Sequence, residues 1–267
     1  SQGSKFSDEY ASNYRGNASF QIPEVYELAN IILYLSDCSV LTGNHSENSE
    51  YAKLVLNQFG PFRSHPLIQI LNKTCSNGNH WSTYYGFREN SMCFKFDENS
   101  LLQYSTSYKH VYNDNSDILG GEFRNLLYLV QDFANQTDFR SFYKNNNKYY
   151  RKLESRQKKL QPIRKMWKWL EADFPQRYNS YKVIFSPLIE GSHSTQNFFK
   201  GSYQKPEFKE CLMFINSPEN IDFKSEYSER IKEGIMSGIV FTEIGHNYVN
   251  PASADNIKAI RDLIKNK

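Results

Sequence analysis

Two short, mostly apolar runs, Tyr181 to Leu188 and Cys211 to Asn216, stand in a chain whose other apolar residues recur mainly every three or four positions. A short run bounded by turn residues reads as a buried strand, and a three-to-four repeat is one face of a helix. The contrast predicts many helices and little sheet. Pro23 suits the first turn of a helix through Leu35, with Val25, Leu28, Ile31, Ile32 and Leu35 on its apolar face. Further helices are expected over Glu47 to Phe59, closed by Gly60-Pro61, over His65 to Asn72, over Gly121 to Ala134, from Asp138 toward Leu160, and after Pro162. The last should run from near Asp222 through His246 and stop at Asn250-Pro251, because the residue before proline is driven out of the helical region. Its stripe is Ile231, Ile235 and Ile239, with Met236, Val240 and Ile244 beside it, and Gly234, Gly238 and Gly245 leave room for another backbone. Ser1 to Gln21 reads as polar chain with a strand near its end, Cys75 to Tyr112 as loops with a small hairpin, and Ile189 to Pro206 as a loop.

At 267 residues the chain is long enough for one substantial core, and no linker or repeat divides it, so residues 1–267 are taken as a single domain. Nineteen Tyr and nineteen Phe exclude a disordered chain. The net charge of +3 is small, yet basic residues crowd Lys144 to Lys168 around Tyr149, Tyr150 and Trp167. Such a mixture is either a polyanion-binding surface or a solvated helical face whose aromatics turn inward. The modest overall charge favours the second, so no nucleic acid is expected as a partner. Cys38, Cys75, Cys93 and Cys211 are too widely spaced for a zinc ribbon and are expected as buried thiols, with one or two disulfides open as an alternative. No apolar run reaches the ~20 residues that span a bilayer. The chain starts at Ser1 without methionine, which points to a removed leader.

Candidate chemistry lies in Val240 to Pro251, which reads Val-Phe-Thr-Glu-Ile-Gly-His-Asn-Tyr-Val-Asn-Pro. In the His-Glu-x-x-His pattern two histidines one helical turn apart grip zinc, and the glutamate between them activates bound water. Glu243 and His246 occupy the positions of that glutamate and second histidine, while Thr242 stands where the first histidine would be. A hydroxyl is a poor neutral ligand for zinc, so the motif is either degraded or completed from elsewhere in the chain. Glu-x-x-His also occurs as an ordinary hydrogen-bonding pair, although a carboxylate after Ile239, Val240 and Phe241 needs a cation, a donor or a wet cleft. The second cluster, Ser186 to Gln196, follows the first apolar run, and there His193 is either a substitute ligand, a substrate contact or a surface histidine. His65, before Pro66, is a candidate for the same cleft, and Tyr248 is a candidate substrate contact.

Four segments together resemble the domain of unknown function 4932 family, bacterial proteins similar to zinc metallopeptidases of the glutamate-zincin type. They are Ile22 to Ala29, Tyr51 to Phe59 with His65-Pro66-Leu67, Tyr181 to Thr195 with its Ser-Pro-Leu and Gly-Ser-His-Ser-Thr runs, and Val240 to Pro251. The resemblance implies an α+β, zincin-like fold, predominantly helical, with a small mixed sheet beside the long motif-bearing helix and the Ser-Pro-Leu strand in the cleft. It implies Glu243 as general base, His246 as a zinc ligand, a peptide or protein substrate, and a secreted or periplasmic location. Departures from the family are specific: Thr242 replaces the first ligand, and no glutamate follows His246, only Asp255 and Asp262. Relatives are therefore expected to carry a further C-terminal portion, and the zinc set is incomplete. Three functions follow: an impaired metallopeptidase-like domain that binds a peptide or protein partner, an active zinc peptidase completed by ligands such as His193 or His65, or a non-enzymatic polyanion binder. The first is preferred.

Overall fold

The computed structural model describes residues 4–45, 49–105, 107–112, 123–191, 193–202, 204–257 and 261–262. Its elements are α1 (Asp8–Tyr14), β1 (Asn17–Gln21), α2 (Glu24–Leu35), α3 (Asp37–Thr42), α4 (Glu50–Phe59), α5 (Pro66–Thr74), α6 (His80–Asn90), β2 (Phe94–Phe96) and β3 (Leu102–Tyr104), followed by α7 (Leu127–Gln136), α8 (Phe139–Asn145), α9 (Asn147–Leu160) and α10 (Ile163–Asp173). The last part holds β4 (Ser180–Ile184), β5 (Ser194–Gly201), β6 (Pro206–Phe214), α11 (Glu219–Asp222) and α12 (Glu229–Asp255). The fold is α+β and mainly helical, with a small mixed sheet of order β1-β4-β6-β5 and a separate β2-β3 hairpin. β1, β4 and β6 run parallel, and β5 pairs antiparallel to β6 at the edge.

Strand register decides which helices meet which face. Successive side chains alternate across a strand, so Ser180, Lys182 and Ile184 share one face with Glu210, Leu212, Phe214, Ser194 and Gln196. That face receives α1, α2 and α6: Tyr10 bonds Glu210, Tyr26 packs on Phe214, and Glu89 holds Ser194. Tyr181, Val183, Cys211, Met213, Thr195 and Asn197 form the other face. Trp167 of α10 packs on Tyr181, Tyr248 of α12 bonds its hydroxyl, and Asn247 lies 3.2 Å from Cys211 Sγ. Every residue of β4 is buried as a result, which is why its sequence shows no alternation.

Several tyrosines are buried by pairing their hydroxyls, which lets a large apolar ring enter a core without an orphaned polar atom. Tyr10 and Tyr108 converge on Glu210, above which Lys182 lies 4.0 Å from the Tyr14 ring. Tyr51 donates to Glu27 at 2.7 Å and its oxygen lies 2.7 Å from that of Tyr150, tying α4, α2 and α9 together. Burial pushes the Glu27 carboxyl up to about 7, against the hydroxyls of Tyr51 and Ser186, which lower it. A carboxyl raised in this way contributes full stability below its unfolded value near 4.5 and loses it as pH rises toward 7. Glu27→Gln should thus match the wild type near pH 4 and exceed it by about 3 kcal/mol near pH 8, as read from urea unfolding at both pH values.

Several expectations need correction. The first 21 residues contain α1, capped by Ser7, in addition to the expected strand. The stretch expected as loops after Cys75 holds α6 as well as the hairpin, because Tyr84, Phe87 and their neighbours bury one face against α2 and α3. Ile189 to Pro206 contains β5 at its centre, whose polar residues find partners on both faces of the sheet. Cys38 and Cys75 form a disulfide, while Cys93 and Cys211 are buried thiols. The last helix starts at Glu229, capped by Ser228, since α11 is a separate turn. It also passes through Pro251, which forfeits only the bond to the Asn247 carbonyl, and closes where Asn256 N–H reaches Ala252. Its buried stripe is Met236, Val240, Ile244 and Tyr248, whereas Ile231 and Ile235 are exposed. No other atom comes within 4 Å of where a Cβ would stand on Gly234, Gly238 or Gly245, so no backbone uses that room among the described residues. The expected starts at Glu47 and Gly121, and Ser192 of the Gly-Ser-His-Ser-Thr run, lie outside the described residues.

Candidate functional site

The motif glutamate meets the sheet at its edge. Val240, Ile244 and Tyr248 anchor α12, which places Glu243, half-buried, against β5. Thr195 Oγ1 donates to Glu243 Oε2 at 3.1 Å, and one turn further along Asn197 Nδ2 donates to Asn247 Oδ1 at 2.8 Å. Antiparallel pairing puts Thr195 and Asn197 on the α12 side because they alternate with Ser194 and Gln196.

On the opposite face, Ser194 and Gln196 both donate to Glu89, the first to Oε1 and the second to Oε2 at 3.1 Å. Glu89 is wholly buried beside Arg88, whose Nη2 is 3.3 Å away and whose Nη1 donates to the Tyr84 hydroxyl at 3.1 Å. The Arg88 guanidinium also lies 4.7 Å from the Tyr84 ring centre and 5.1 Å from that of Tyr85. Burial raises the Glu89 carboxyl above the usual range, although Arg88 and the two β5 side chains act to lower it. The edge strand is therefore gripped by one carboxylate on each face. Sequence reasoning passed over Arg88-Glu89. The available signal was the helical spacing of Tyr84, Tyr85 and Arg88, hidden inside an Asn- and Ser-rich stretch.

His193 stands at the entry to β5, half-buried. Burial lowers its imidazole below the ordinary range, the charges of Glu243 and the amide of Asn216 pull it up, and Arg88 adds to the lowering. His193 is thus within electrostatic reach of Glu243.

The other candidates are placed differently. Thr242 is exposed and its hydroxyl donates back to the Gly238 carbonyl at 3.0 Å. His246 is exposed one turn beyond Glu243. His65 caps α5, its Nδ1 accepting from Leu67 N–H at 3.2 Å and its Nε2 3.1 Å from Asp132, so both ring nitrogens are engaged away from α12. Tyr248 is fully buried and its hydroxyl lies 2.7 Å from that of Tyr181, which makes it a core residue, not a substrate contact.

Zinc needs three or four N, O or S donors converging at about 2.0–2.3 Å. Among the described residues no group of three or more His, Cys, Asp or Glu side chains is placed to hold a metal ion. With Thr242 turned to its own helix and His65 committed elsewhere, the donor set does not fit zinc.

The basic segment also resolves into parts. Tyr149 donates to Glu219, Tyr150 is buried and Trp167 packs on Tyr181, so its aromatics are spent inside the fold. Arg156 pairs with Asp222 and Glu229, and Arg151 with Glu154. No helix among the described residues is long and apolar enough to cross a membrane.

Comparison with protein-family models, with curated proteins and with solved structures finds no match to this chain.

Proposed function

We propose that this chain is a metallopeptidase-like domain that binds an extended polypeptide beside α12 without performing zinc-dependent hydrolysis. The observation that carries the proposal is the Thr195 to Glu243 hydrogen bond, which commits the motif glutamate to the edge strand. β5 ends the sheet, and no other strand among the described residues pairs with its outer side, although the Phe199 carbonyl near its far end accepts from Ser4 Oγ at 3.0 Å. An unpaired strand edge is a template for main-chain hydrogen bonds to an extended peptide. The Asn197–Asn247 pair adds a polar contact along the same face. The domain of unknown function 4932 resemblance supports the peptidase ancestry, and Thr242 supports the loss of catalysis. The Cys38–Cys75 disulfide accords with an oxidising, secreted or periplasmic compartment.

Metal analysis tests the non-catalytic part. Protein equilibrated with zinc and passed through gel filtration should emerge with far less than one zinc per chain, and Thr242→His should raise its zinc content. Stoichiometric zinc in the wild type, lost on His246→Ala, would overturn the proposal.

A further inference from the structure

Where α9 gives way to α10, beneath the edge strand β1, lies a cavity of about 240 Å³. It is lined by Ala18, Phe20, Pro162 and Ile163 on the apolar side, by Lys158, Arg164 and Lys165, and by Gln161. We propose that this cavity binds a small organic oxyanion with an apolar body, a carboxylate or a phosphate monoester of about one ring in size.

Three independent features converge there. Gln161 is 3% exposed, yet neither its Nε2 nor its Oε1 has a hydrogen-bond partner. Leaving a buried amide unsatisfied costs about 1–3 kcal/mol per group, so a side chain held this way marks a place where a ligand can supply both partners. The first turn of α10 contains no acidic residue and no side-chain cap, and instead carries Arg164 and Lys165. Cations there oppose the positive end of the helix dipole, an arrangement that an anion between them reverses into attraction. Lys158, Arg164 and Lys165 are exposed and make no ion pair among the described residues, and no carboxylate lines the cavity.

The walls set the rest of the ligand. Ala18 and Phe20 project from the β1 face that meets α9 and α10, and with Ile163 they form an apolar floor that a bare inorganic anion cannot fill. The volume falls short of the roughly 300 Å³ at which drug-sized pockets begin, which limits the body to about one ring.

Phenyl phosphate and phenylacetate, titrated separately by calorimetry against the whole chain with inorganic phosphate as control, test the assignment and separate the two sources. Saturable binding of at least one aryl probe is expected, at least tenfold tighter than inorganic phosphate. Whichever probe binds more tightly identifies the head group. Arg164→Glu changes an exposed residue and should weaken that binding about tenfold or more, and Gln161→Leu should weaken it while preserving the helical circular dichroism. Absence of saturation by both aryl probes, equal affinity for inorganic phosphate, or binding indifferent to Arg164→Glu would overturn the proposal.

Discussion

Replacing Arg88 with methionine is expected to destabilise the protein by about 3–5 kcal/mol, because it leaves the Glu89 carboxylate buried without its cation. Both side chains are fully inaccessible to solvent, and Glu89 is the group that fixes Ser194 and Gln196 of the edge strand. For a chain of this length the loss should lower the melting temperature by roughly 2–4 °C for each kcal/mol. Adding Glu89→Gln should recover a large part of it: a neutral amide can still meet Ser194 and Gln196, and the unpaired charge is gone. Thermal melts of the single and double variants measure the coupling. A double variant no better than Arg88→Met alone would show that the guanidinium acts through its packing on Tyr84 and Tyr85, not through its charge.

The second large effect is expected from the disulfide. Cys38 of α3 and Cys75, just beyond α5, close a segment with a sequence separation of 37. Cross-linking a loop of that length removes unfolded-state freedom worth about 4 kcal/mol in the chain-entropy account. The half-cystines are buried against the α2, α3 and α5 packing, and Asn72 of α5 accepts from the Asp37 backbone at 2.8 Å. Cys38→Ala with Cys75→Ala should therefore lower unfolding free energy by about that amount while keeping the fold, as read from urea titrations of the oxidised wild type and the double variant. Equal midpoints would mean that the two sulfurs are not bonded in the protein in solution.

These two features differ in how far the sequence announces them. The helices carrying strong three-to-four periodicity, α2, α4 and α5, fall close to where their apolar spacing and capping residues put them, while the strands overlap the expected runs only in part, β4 over Tyr181 to Ile184 and β6, which begins at Pro206, over Cys211 to Phe214. The elements that escaped are polar ones. β5, Ser194–Gly201, lacks an apolar alternation because its two faces are satisfied by Glu89 on one side and by Glu243 and Asn247 on the other. Those partners lie about 105 residues upstream and 48 downstream for the first two contacts, so local pattern carries no trace of them. α6 escaped for the same reason, since Arg88 and Glu89 look like surface charges until their tertiary partners are known.

The candidate site shows the same limit. Residue type and position make Glu243 and His193 candidates, and the structure brings them into mutual electrostatic range. His65 and Tyr248 carried the right chemistry, but one caps a helix and the other closes a buried tyrosine pair. Spacing along a helix specifies which residues share a face. It does not specify what that face meets.

The central claim is that the outer edge of β5, beside α12, takes up an extended polypeptide with no metal present. Hydrogen–deuterium exchange in the presence of EDTA, with a reduced and carboxymethylated protein as a permanently unfolded probe, addresses it directly. Slower exchange of the amides from Ser194 to Phe198 on adding the probe is the predicted result, and exchange there unchanged at saturating probe would contradict the account.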